Sequence, residues 1–188
     1  MTFKSETAFE QALIDLLLQK GWQDVIKNPT QQDLIDNWAE ILFQNNREID
    51  RLNNQPLTQG EMDQIIEQIN TLRTPFALNG FINGKTVSIK RDNPNDELHY
   101  GKEVSLTIYD RQEIAAGKSR YQIAQQPKFP TKSKILNDRR GDLMLLINGM
   151  PVFHIELKHS GVPVSQAAHQ IENYARSGIF TGLFALVQ

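Results

Sequence analysis

The sequence predicts an α/β domain in which a mixed central β-sheet is flanked by helices. Three observations carry this. Residues 5–72 hold three stretches with apolar side chains at helical spacing. From residue 75 onward the pattern turns to short runs of β-branched and aromatic residues, two of them joined by Asn148-Gly149. A polar helix and a last apolar run then close the chain. The order helix, antiparallel strands, helix, strand belongs to a layered α/β domain.

The chain has 188 residues, enough for one domain with a real core. The reading takes 1–188 as a single domain, with a helical part over about 1–74 and a sheet-bearing part over about 75–188. There is no cysteine, which excludes disulfides and thiolate zinc sites and points to a reducing, cytoplasmic setting. No apolar run approaches the length of a membrane span, and Met1-Thr2-Phe3-Lys4 opens no signal peptide. A net charge of −2 gives no overall basic field, so any nucleic-acid contact must rest on a local patch or on other domains.

In chain order, residues 5–20 read as an amphipathic helix capped by Ser5, with Phe9, Leu13, Leu16 and Leu17 as its apolar stripe and Gly21 as its stop. Trp22 reads as core. A second helix is expected over 30–53, through Leu34, Ile35, Trp38, Ile41, Leu42 and Ile49. A third, over 58–72, starts at a capping box, Thr58-Gln59-Gly60-Glu61. Strands follow over 76–82, 85–91, 104–109 and 121–129, with a mobile loop over 91–102 and a connection over 130–137. A helix over 164–177 and a buried strand over 183–187 complete the chain. An apolar terminal strand is expected of an N-terminal piece of a longer protein.

The chemistry concentrates between Asp142 and Tyr174. Leu143 to Ile147 and Pro151 to Ile155 form a hairpin about Asn148-Gly149; Asp142 opens it, and Glu156-Leu157-Lys158 closes it. Side chains alternate along a strand, so His154, Glu156 and Lys158 share one face. Asp142 joins them only if the register is offset by one residue. A three-residue loop ending in a bulge at Gly149, or a kink near Gly141, supplies that offset. Two carboxylates can hold a hard cation such as Mg²⁺ together with retained waters and phosphate oxygens, with the Leu157 carbonyl as a further ligand. A nearby lysine can then orient the attacking water or stabilise charge on phosphorus. The bland alternative for Glu-x-Lys alone is an exposed, salt-bridged strand end. Glu156-Leu157-Lys158 is, however, the chain's one acid-x-Lys triplet.

Around this core stand supporting candidates. Glu6 and Glu10 lie on one face of the first helix, where one reading is a plain acidic first turn complementing the helix dipole. Lys128, Lys132, Lys134, Arg139 and Arg140 make one basic cluster, either a solvated loop or phosphate contacts, with Arg139 and Arg140 taken as DNA-supporting candidates. Gln166, Gln170 and Tyr174 form a stripe able to brace the hairpin or bind phosphate. Gln170 and Tyr174 are the chosen site residues of that stripe. His154 and His159 are left out because Mg²⁺ prefers oxygen.

At Asp142, at Glu156-Leu157-Lys158 and at Gln170-x-x-x-Tyr174, the chain resembles the PD-(D/E)xK nucleases and their RecB-like branch. Its wider run over 139–188 is similar to the N-terminal nuclease domain of the type I restriction enzyme R (HsdR) subunit. Gly141 stands where the superfamily's name has proline. The resemblance implies a restriction-endonuclease-like core with an extra N-terminal helical layer, acting as a Mg²⁺-dependent endonuclease on duplex DNA. It implies the other reading of the first helix, that one of its two acids, Glu6 ahead of Glu10, reaches the metal site as an additional ligand. It also implies modification and specificity subunits as partners, and an ATP-driven motor elsewhere. This chain has no GxxxxGK[ST] motif, so ATP would serve only the full-length subunit. Two other readings use the same motifs. One is a non-catalytic module docking DNA or subunits, the other a stand-alone repair or junction nuclease.

Overall fold

The structure, a computed structural model, describes residues 5–72, 86–108, 119–129, 139–185 and 187. The expected strand at 76–82 and the connection at 130–137 lie outside the described residues. Two compact units emerge, and each is built from separate stretches. One comprises Met1–Gln32, Arg120–Ile147 and Pro151–Gln188; the other comprises Asp33–Ser119 and Asn148–Met150.

The first unit carries the sheet. Helix α1 (Glu6–Gln19) starts at Ser5, whose Oγ accepts the Ala8 N–H, and ends before Gly21 at φ 100. Strand β1 (Asp24–Lys27) runs parallel to β4 (Tyr121–Gln125), and β4 pairs antiparallel with β7 (Leu143–Ile147). The sheet order is β1-β4-β7-β8, with β8 (Met150–Ile155) at the edge, where Pro151 sacrifices no central ladder bond. A short ribbon joins β5 (Lys128–Phe129) to β6 (Arg139–Arg140). The expected strand over 121–129 is therefore two strands, broken at Gln126, where φ is 51. Among the described residues no helix is long and apolar enough to cross a membrane.

One sheet face closes on α1. Ile14, Ile123, Leu143, Leu145 and Leu157 form its buried cluster, and Phe9, Leu13, Leu17, Trp22, Val25 and Ile155 pack on it. Leu16, expected on the apolar stripe, is 49% exposed; Glu10 takes the buried position instead. Beyond β8 come α4 (Val164–Arg176) and a 3-10 turn (Gly182–Phe184). The expected terminal strand is this turn. Leu183 and Phe184 are buried as expected, but Gly182 adopts φ 59 and the chain curls.

In the second unit, α2 (Gln31–Asn46) stops seven residues before the expected end. Asn46 turns its amide back to the Leu42 carbonyl and across to Thr107, and Ile49, beyond the helix, is exposed. The expected capping box is present at Thr58 and Glu61 before α3 (Gln59–Asn70). Strands β2 (Thr86–Lys90) and β3 (Glu103–Thr107) pair antiparallel. The loop between them is tied down, contrary to the expected mobility. Arg91 is fully buried and donates to Glu61, Asp96 and the Leu52, Gln55 and Pro56 carbonyls.

Candidate active site

The hairpin turn has Asn148 at φ 51 and Gly149 at φ 83, the two-residue type I′ pattern. The expected bulged loop ending at Gly149 is not formed, because asparagine accepts a positive φ itself. The faces are nonetheless offset. Leu143 and Leu145 gather with Ile155 and Leu157 against α1, whereas His154 meets Phe129 and Tyr174. A regular two-residue register would set Leu143 opposite His154, on one face. A bend at Asp142, beside Gly141 where a kink is the other expected source of the offset, accommodates the difference.

This arrangement brings Asp142, Glu156 and Lys158 together. Asp142 Oδ2 accepts the Leu157 N–H at 2.5 Å, and the Leu157 side chain is buried beneath α1. Burying a leucine stabilises by about 1.5–3 kcal/mol, so the apolar cluster pins the peptide between the acid and the lysine. Lys158 Nζ lies 3.5 Å from Glu156 Oε1 and 3.8 Å from Glu6 Oε1. The Glu156 side chain is only 2% exposed, and its Oε2 has no hydrogen-bond partner among the described residues.

The electrostatics follow from this burial. Loss of solvent, with the charge of Asp142 alongside, pushes the Glu156 carboxyl up to about 7 against the pull of Lys158. Burial also raises Asp142, despite the Leu157 N–H and Lys158. His154 is pushed down to about 4 by burial and is neutral at pH 7. Two adjacent carboxyls, one with a buried oxygen that has no partner among the described residues, are a donor set that fits a hard divalent cation, which would hold both ionised. Among the described residues no group of three or more His, Asp or Glu is gathered as a metal cage. Glu6 therefore does not complete a three-acid set; it faces Lys158 and is partly exposed. The structure gives the Leu157 N–H to Asp142.

Glu10, ranked after Glu6 in the sequence, and the expected glutamine-tyrosine stripe complete the surroundings. Glu10 is 4% exposed and accepts Gln125 Nε2 at 2.5 Å and Gln126 Nε2 at 3.4 Å. Its charge, like that of Glu6, acts on Asp142. The available signal was its spacing, one turn before Ile14 on the buried stripe. The glutamine-tyrosine pair braces the hairpin: Gln170 Nε2 donates to Tyr174 Oη at 2.7 Å, and Tyr174 Oη donates to the Arg140 carbonyl at 2.8 Å. That carbonyl lies two residues before Asp142. Gln166 and His169 are exposed. The Arg140 side chain is exposed too; Lys132, Lys134 and the Arg139 side chain lie outside the described residues.

Comparison with known proteins adds an independent line. The family described as "Type I restriction enzyme R protein N terminus" matches residues 3–188. The type I restriction enzyme SsaAORF53P endonuclease subunit of Staphylococcus saprophyticus is 32% identical over 189 residues, which cover all of this chain and 18% of the relative. The SauMSSORF170P endonuclease subunit of Staphylococcus aureus (strain MSSA476) is 29% identical over 188 residues, again 18% of the relative. The EcoprrI endonuclease subunit of Escherichia coli is 27% identical over 176 residues, 93% of this chain and 50% of the relative. The chain thus spans less than a fifth of the staphylococcal relatives.

Proposed function

Since the chain belongs to the family of type I restriction enzyme R protein N termini, we propose that it is the Mg²⁺-dependent endonuclease domain of such a subunit, hydrolysing phosphodiester bonds of duplex DNA. The observation that carries this is the convergence of Asp142, Glu156 and Lys158 at the end of one hairpin, with a buried carboxylate oxygen that has no partner among the described residues. Asp142 and Glu156 would hold the metal, with the Leu157 carbonyl alongside. Bound Mg²⁺ supplies a more acidic water and neutralises charge developing on the phosphate.

The protein's own groups supply the rest. Lys158 presents an ammonium beside Glu156, placed to orient the attacking water and to stabilise the oxyanion on phosphorus. Glu6 lies 3.8 Å from that ammonium and helps to hold it in place. Gln170 and Tyr174 hold the Arg140 carbonyl, which fixes the approach of the chain to Asp142. Arg139 and Arg140 offer phosphate contacts on the same short strand. In the same reading, modification and specificity subunits, a separate ATP-consuming motor and a cytoplasmic setting complete the system.

Mg²⁺ titration calorimetry and plasmid cleavage, run on the wild-type full chain and on Asp142→Ala and Glu156→Ala, test the proposal. Both variants are expected to lose Mg²⁺ binding and cleavage while staying folded. Folded variants that bind Mg²⁺ like the wild type would remove the shared carboxylate site.

A further inference from the structure

His154 has a place in this site that its residue type did not suggest. Its side chain and that of Glu156 are each 2% exposed, and Nε2 faces Glu156 Oε2 at 3.5 Å. Neither ring nitrogen has a hydrogen-bond partner among the described residues, and neither does Glu156 Oε2. A neutral imidazole carries a single ring proton. Placed on Nε2, it points an N–H at the carboxylate; placed on Nδ1, it would set a nitrogen lone pair against an oxygen lone pair. With Glu156 ionised, electrostatics therefore select the Nε2–H tautomer.

The ring is also clamped. It packs edge-on against Phe129 at 5.7 Å between centroids, and against Tyr174 at 5.7 Å and Phe180 at 5.8 Å. On its remaining flank lies Gly141, where an added Cβ would come 2.6 Å from His154 Nε2 and 3.0 Å from Phe129. Glycine before Asp142 is thus what admits the imidazole. The ring touches the backbone leading to one acid and faces the carboxylate of the other.

We infer that His154 is a positioning residue whose Nε2–H donates to Glu156 Oε2 and so fixes which oxygen Glu156 turns toward the metal. The inference rests on the metal-dependent reading above. Ligating carboxylates are commonly oriented by such outer partners. The 3.5 Å separation closes to a hydrogen bond once Glu156 is held ionised.

Mg²⁺ calorimetry on the full chain tests this with two substitutions. His154→Phe keeps an aromatic filler and removes the donor; His154→Gln returns an N–H near the Nε2 position. We expect His154→Phe to weaken Mg²⁺ binding about tenfold and His154→Gln to recover most of it, the range usual for outer partners of metal ligands. The role is overturned if folded His154→Phe binds like the wild type, or if His154→Gln is as weak as His154→Phe. Nitrogen-15 NMR of the wild-type imidazole gives a second readout without substitution: Nε2 protonated is expected, and an Nδ1–H ring refutes it. A wild type that binds no Mg²⁺ sinks the metal reading and this one together. Wild-type binding that is lost in Glu156→Gln but kept in His154→Phe sinks only the role of His154.

Discussion

Glu156→Gln separates what the site costs the fold from what it does. Burial, with Asp142 alongside, pushes the Glu156 carboxyl from 4.5 to about 7, so the folded chain keeps a proton that the unfolded chain has released. By linkage, this group takes stability away as pH rises above about 4.5, and the loss is complete once pH has passed about 7. The interval corresponds to about 3 kcal/mol. His154 works in the opposite sense. Its folded pKa lies at about 4, below the ordinary 6.5, so stability rises with pH across that window. The two slopes oppose each other in mildly acidic solution and flatten the wild-type curve. Glutamine mimics the protonated carboxyl and removes only the Glu156 contribution. Urea unfolding in chelator should therefore find E156Q and wild type alike near about pH 4.5, and the variant more stable by about 3 kcal/mol above about pH 7.5. Mg²⁺ should restore stability to the wild type and not to E156Q. A difference between the two proteins that stays constant across the pH range would refute the reasoning.

Other substitutions probe the remaining parts. Lys158→Met should leave Mg²⁺ binding intact and lower plasmid cleavage by about a hundredfold, the contribution of a positioned proton-transfer group; unchanged cleavage would remove the lysine from the chemistry. Tyr174→Phe strands the Arg140 carbonyl and the Gln170 amide, so denaturant unfolding should show a loss of about 1–3 kcal/mol. Gly141→Ala drives a methyl into the His154 ring and should cost about 1–3 kcal/mol, with weaker metal binding; a neutral result in both would mean that the ring moves freely. Arg91→Met leaves Glu61 and Asp96 buried without their cation and should cost about 3–5 kcal/mol in thermal or chemical unfolding.

What the sequence made legible was local chemistry. Ser5 and Thr58 cap helices through neighbours three residues away, and Asn148-Gly149 turns a hairpin by its own backbone preferences. What it concealed depends on distant partners. Strand β1 is four residues long and pairs parallel with β4, nearly a hundred positions later, so no short window displays it. The polar loop after Arg91 has the composition of a solvated turn, yet Arg91 closes it through Glu61, thirty positions earlier. Glu10 interrupts an apolar stripe and so misdirected its reading toward Leu16. In the hairpin, both the need for an offset register and one of its two expected places, a kink near Gly141, were legible; the choice between that kink and a bulge at Gly149 was not, because the bend at Asp142 is set by packing rather than by the turn.

The environment of Glu156 also weighs between the site and a salt-bridged strand end. A surface pair of that kind leaves both groups in water, where it contributes about 0–1 kcal/mol and perturbs neither pKa much. Here the Glu156 side chain is almost wholly buried beside a second raised acid, and one of its oxygens has no partner among the described residues. Nor, among those residues, does either ring nitrogen of His154 at the same place. Each of these features destabilises the fold, and they coincide at the end of one hairpin. The compensation is visible around them: Leu157 anchored under α1, the aromatic ring set about His154, and Tyr174 tied to the Arg140 carbonyl. A strand end needs none of these supports. The pair of acids proposed to hold a cation needs all of them, because it must stay buried and aligned until a cation ionises it.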